Sequence, residues 1–154
     1  MNTTYVFPPI HESILDNGLR VLLVPDTEQD GLVVAAQFRL GTFSDPVGLE
    51  GTAELCMGLI QKGSGELSAE QTAEKLEFAG ASLFSDVGEE HLGLGIRMLC
   101  QKEEEILPVF WNMLLNPRFE QHEFTRIQRE MVTSLQAETV DPGIIANRYF
   151  YRTL

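Results

Sequence analysis

Apolar and polar residues follow different rhythms along this chain, and each rhythm predicts an element. After an extended lead containing Pro8-Pro9, residues 12–15 and 19–24 read as two strands around Asp16-Asn17-Gly18. Asn-Gly supplies the positive φ angles that a tight hairpin needs. Residues 32–40 predict a third strand, and because its apolar run is nearly unbroken it is expected to be covered on both faces. From Leu49 onward Ala53, Cys56, Met57 and Ile60 recur at helical spacing until Gly63-Ser64-Gly65 ends the helix. Ser68 and Gln71 form the S-x-x-Q capping-box pattern, so a second helix opens there, with a predicted buried stripe of Ala69, Thr72, Ala73, Leu76 and Ala79.

Period two returns in residues 81–85 and 91–99. Leu92, Leu94, Ile96 and Met98 alternate with Gly93, Gly95, Arg97 and Leu99, and two glycines on one face require that something packs closely over them. A third helix is predicted over residues 102–116, with Glu103, Glu104 and Glu105 at its positive end and Pro117 beyond its finish. A fourth spans residues 121–138 with Phe124, Ile127, Met131 and Leu135 on one stripe, and Asp141-Pro142-Gly143 separates it from a last helix. The order of elements is that of an α+β domain, helices laid on a mainly antiparallel sheet.

Composition narrows the function classes. A chain of 154 residues suits one domain and can bury roughly 70% of the surface its unfolded form exposes. With 44% apolar residues and no apolar run approaching 18, it reads as globular with no membrane partner. The net charge of -12, with 11 basic residues scattered along the chain, disfavours nucleic acid. Cys56 and Cys100 lie in apolar stretches outside any C-x-x-C pattern and are expected to be buried free thiols. The start lacks the basic and apolar regions of a secretory signal, so the chain reads as cytoplasmic as written, or periplasmic or elsewhere if a signal has been removed.

Five segments in order carry a resemblance. They are residues 15–24 (LDNGLRVLLV), 39–57 (RLGTFSDPVGLEGTAELCM), 79–83 (AGASL), 114–119 (LLNPRF) and 137–143 (AETVDPG). Together they resemble the pitrilysin/insulinase family of inverted zinc peptidases, specifically its N-terminal portion. The resemblance implies a metallopeptidase-like α+β fold, with further strands after this point. In H-x-x-E-H, two histidines four apart on one helical face hold the metal while the Glu activates water. Here Gly51 and Leu55 occupy the histidine places and Glu54 alone remains.

The family's third ligand, a Glu on the helix after the Leu-Asn-Pro-Arg-Phe turn, maps between Met131 and Ser134, with Ser134 the best match. None of the four residues 131–134 is a carboxylate or imidazole. Glu130 and Glu138 are a helical turn away, about 5 Å, which a zinc–oxygen bond of about 2 Å does not tolerate. His11, His91 and His122 have no second His or Cys at ligand spacing, so the expected cofactor is none, with zinc as the alternative. A general base without a polarising metal lacks the means to lower the pKa of water, which leaves Glu54 silent. Glycine being a poor helix former, Gly51→His is expected to favour the helix by up to about 1 kcal/mol. No nucleophile elbow, Walker loop or dinucleotide glycine pattern is present.

In active members the strand after the second helix offers its backbone edge to an extended peptide. This chain has Ser82, Leu83, Phe84 and Ser85 there, with Phe84 in place of the family's Asn. The expected function is that of a non-catalytic partner which pairs with a like-folded zinc-bearing sibling, or with itself, and helps enclose unfolded or extended peptides. An active zinc endopeptidase with displaced ligands and a purely structural subunit are the alternatives.

Overall fold

A computed structural model describes residues 8–26 and 28–153, apart from the side chains of Arg148, Tyr151 and Arg152. The chain divides into two compact units, Met1–Gly31 and Leu32–Leu154. The first is a hairpin of β1 (His11–Ile14) and β2 (Arg20–Leu23), antiparallel, with His11 opposite Leu23 and Ile14 opposite Arg20. Gly18 takes φ +84°, and the Asn17 side chain accepts a hydrogen bond from the Leu19 N–H at 3.0 Å, closing the turn through the residues that predicted it. The Arg20 guanidinium donates to both oxygens of Glu12 at 2.7 and 3.0 Å, which holds the Glu12 carboxyl below its ordinary range.

The second unit holds a three-stranded sheet in the order β3–β5–β4, from β3 (Gly31–Phe38), β4 (Ser82–Val87) and β5 (Leu92–Leu99). β4 and β5 pair antiparallel, with Ser82 opposite Arg97, Phe84 opposite Gly95 and Asp86 opposite Gly93. Among the described residues five α-helices accompany it: α1 (Thr52–Ile60), α2 (Ala69–Phe78), α3 (Glu103–Leu115), α4 (Gln121–Glu138) and α5 (Pro142–Arg152). The capping box at Ser68 and Gln71 forms as the pattern requires. Asp141 caps α5 by accepting from the N–H groups of Gly143 and Ile144.

The core lies on one face of the sheet. Leu94, Ile96 and Met98 of β5 meet Met57 of α1, Leu76 of α2, and Ile106, Val109, Phe110 and Met113 of α3. Phe110, Leu94, Ile96 and Ile106 are wholly buried, and removing a ring such as Phe110 from such a place costs about 3–5 kcal/mol.

Four expectations need correction. β3 is covered on one face only: Leu32, Val34 and Ala36 are half-buried while Val33 is 60% exposed and Ala35 and Gln37 are open. An apolar run records composition, and only the core-facing half of this one meets the helices. Helix α1 begins at Thr52, not Leu49, because Gly48 and Gly51 take φ +84° and +96°, outside helical geometry. Cys56 and Cys100 are exposed, Cys56 on the flank of the Ala53–Met57 stripe and Cys100 in a 3-10 turn just after β5. Partial packing around its sulfur still pushes the Cys56 thiol upward. On α2, Ala73 is exposed, and the buried stripe narrows to Thr72, Leu76 and Ala79.

Candidate functional site

The segment leading into α1 is anchored at two points. Gly41 is buried against the turn between β4 and β5, where any Cβ would overlap the Glu89 carbonyl. The N–H groups of Thr42 and Phe43 donate to the carbonyls of Gly88 and Glu89, both at 3.0 Å. Farther on, the Asp45 carboxylate accepts from the N–H of Gly51 at 2.8 Å and of Ala53 at 2.8 Å. A negative group is thereby placed on the positive end of α1 and satisfies two of the helix's unpaired donors. Glu50 accepts from the Gly48 N–H, which keeps its carboxyl below the ordinary range.

Gly51 itself stands just outside the helix, in the left-handed region at φ +96°. A Cβ built there would sit 3.5 Å from the Met131 Cε of α4, and one on Gly58 would sit 3.2 Å from Ile127. Gly51 at the N-cap of α1 and Gly58 within it thus face Met131 and Ile127 across the α1–α4 seam. Among residues 131–134 it is Met131 whose side chain reaches the Gly51 position; Val132, Thr133 and Ser134 are exposed. The expected helix gain for Gly51→His reverses, since a side chain at this φ is strained by about 1–2 kcal/mol and points at Met131.

Leu55 is half-buried and Glu54 is exposed in the first turn of α1. Catalytic zinc needs three ligands drawn from imidazole, carboxylate and thiolate. Gly51 and the Met131 thioether, which meet at this seam, and Leu55 supply none of these. Glu130, a turn along α4, is taken up by Arg126 at 2.6 Å. Arg126 also holds Glu123 at 2.6 Å, and the Glu123 carboxyl is lowered by that hydrogen bond. Of the histidines, His11 lies in β1 of the first unit, and in the second unit His91 is against Asp86 at 2.6 Å and His122 beside Glu120 and Glu123. Among the described residues no group of three or more His, Cys, Asp or Glu side chains is placed to hold a metal ion.

β4, which carries Ser82, Leu83, Phe84 and Ser85, lies at one margin of its sheet and among the described residues pairs only with β5. Its second backbone edge is open beside α1, from which Gln61 reaches the Ser85 hydroxyl at 3.3 Å. The Phe84 ring crosses to β5 and fills the space above Gly95, and the Arg97 guanidinium lies over it, 4.7 Å from the ring centroid. The paired glycines of β5 had signalled that close approach. Sequence reasoning missed Asp45, an ordinary capping residue acting from six positions upstream, and Gly41, whose neighbour in space is 48 positions away.

A profile of the family described as Insulinase (Peptidase family M16) matches residues 20–149. The chain belongs to that family. Its fold is similar to that of a peptidase M16 inactive domain from Pseudomonas fluorescens, with TM-score 0.85 and 21% identity over 90% of this chain and 34% of that one. It is also similar to a protease from Helicobacter pylori, with TM-score 0.77 and 18% identity over 86% of this chain and 32% of that one. A third similar structure is the periplasmic protease PqqL from Escherichia coli, with TM-score 0.77 and 18% identity over 94% of this chain and 16% of that one. The chain thus spans about a third or less of the length of these solved structures. No curated protein matches the chain. Among the described residues no helix is long and apolar enough to cross a membrane.

Proposed function

We propose that this chain is a non-catalytic unit of the insulinase family that holds unfolded or extended peptide segments by strand addition at β4, beside a like-folded subunit or domain that bears the zinc. The observation that carries this reading is the α1–α4 seam, where Met131 reaches Gly51; the resemblance gives Gly51 and Leu55 the two histidine places. Without a Lewis acid, Glu54 has no activated water to supply, and hydrolysis falls to the partner. What remains on this side is an open strand edge whose N–H and C=O groups recognise an extended backbone whatever its sequence. The excess of 23 acidic over 11 basic residues favours basic segments through long-range attraction.

Fluorescence anisotropy with labelled unfolded peptides tests this directly. The expected result is weak, saturable binding that weakens as salt rises, with no cleavage of the peptide before or after zinc is added. Cleavage that needs zinc would make the chain an active endopeptidase. Absence of any peptide binding would make it a structural subunit only.

A further inference from the structure

The outer face of the sheet along its open edge presents three β4 side chains in a row, Ser82, Phe84 and Asp86, because alternate residues of a strand share a face. Phe84 leans away from the free edge. Its ring reaches over Gly95, where a side chain of any size would block it, and the Arg97 guanidinium holds it there from one side. The space over an incoming strand opposite residue 84 is therefore clear, and it is walled by the near side of an aromatic ring. Two residues along, Asp86 is 69% exposed, and only Oδ2 is engaged, by His91 at 2.6 Å. Its Oδ1 has no hydrogen-bond partner among the described residues.

We propose that β4 selects its peptide: the strand that adds to it carries a large apolar or aromatic side chain opposite Phe84 and, two residues away on the same face, a Lys or Arg opposite Asp86. This rests on the strand-addition reading above and gives it a specificity. Directly opposed side chains on neighbouring strands lie close enough to contribute, and both an aromatic–apolar pair and an opposite-charge pair are favourable there. The i, i+2 spacing is dictated by the pleat, since neighbours at i, i+1 fall on opposite faces. The acidic balance of the whole chain favours the basic residue at the same site.

Two labelled ten-residue peptides of identical composition decide it, one with Phe and Lys at i and i+2, the other with them adjacent, together with a Glu version of the first. On the wild-type chain the i, i+2 peptide should bind about threefold more tightly than its isomer, which can place only one of its two residues on this face and so loses one cross-strand pair. Asp86→Lys should remove most of that preference and move it to the Glu peptide, while Phe84→Ala should weaken both i, i+2 peptides without exchanging their order. Equal binding of all three peptides to wild type and to Asp86→Lys overturns the specificity and leaves strand addition standing. No saturable binding of any peptide overturns both. A second copy of the chain pairing along β4, seen as a concentration-dependent dimer in sedimentation that excludes every peptide, overturns the choice of occupant.

Discussion

The α1–α4 seam and the edge of β4 differ in what a substitution does to them, since the one is made of packed side chains and the other of backbone. At the α1–α4 seam Met131 reaches Gly51 at ordinary contact distance, and in the proposed reading Gly51 and Leu55 stand where the resemblance puts the histidines. On β4 the exchanged residue, Phe84, removes nothing from the backbone edge and is stowed over Gly95 under Arg97. Catalysis depends on a few side chains held within about 0.5 Å of their productive positions, whereas strand addition depends on a backbone that every residue supplies. In the proposed reading, substitution therefore abolishes the first and leaves the second in place.

Restoring the seam should produce the largest change. Gly51→His and Leu55→His with Met131→Glu removes the side chain that fills the space and adds three ligands. The triple variant should bind zinc with Kd near about 1 μM, worth about 8 kcal/mol, by isothermal titration. Using Ser134→Glu in place of Met131→Glu leaves the thioether against residue 51 and should bind far more weakly. Equal affinity for the two would show that the helix faces are assigned incorrectly.

The two regions are joined where the lead-in to α1 rests on the β4–β5 turn. Even Gly41→Ala should cost about 3 kcal/mol, since its methyl overlaps the Glu89 carbonyl and displaces two backbone hydrogen bonds. Urea denaturation measures this, and a loss below about 0.5 kcal/mol would mean the joint is loose. Asp45→Ala should cost about 1–2 kcal/mol by uncapping α1, with peptide binding at β4 kept. Loss of binding in a folded Asp45→Ala protein would couple the two regions more tightly than their separate chemistry implies.

Acid offers a gentler probe of α4. The Arg126 hydrogen bond depresses the Glu123 carboxyl below its ordinary value of 4.5, so this pair stabilises the fold above about that pH and ceases to do so as pH falls through the lower folded value. Glu123→Gln should therefore be less stable than wild type at neutral pH, and the gap should close in strong acid. The smallest effect is predicted for Glu54→Gln, an exposed residue at a site without a metal, with stability within about 0.5 kcal/mol of wild type and unchanged peptide affinity.

Much of the fold was legible because local chemistry and tertiary packing agree. The Asn17-Gly18 turn, the Ser68–Gln71 box and the Leu92–Met98 alternation each specify their element within a few residues. The misses arose where distance in space decides. The apolar run of β3 could not show that one face lacks cover, and no local pattern marks Gly51 as standing outside the helix under an Asp45 cap. At the site, the resemblance puts Gly51 and Leu55 at the histidine places. Which side chain of α4 faces them depends on the α1–α4 crossing, and there Met131 meets Gly51.

The central claim is that this seam does not hold zinc while the neighbouring edge holds peptide, and metal analysis of the purified wild-type chain after zinc loading and gel filtration tests it most directly. Substoichiometric zinc that washes away is the predicted result. About one zinc per chain, retained through filtration and accompanied by peptide cleavage that Glu54→Gln abolishes, would contradict it.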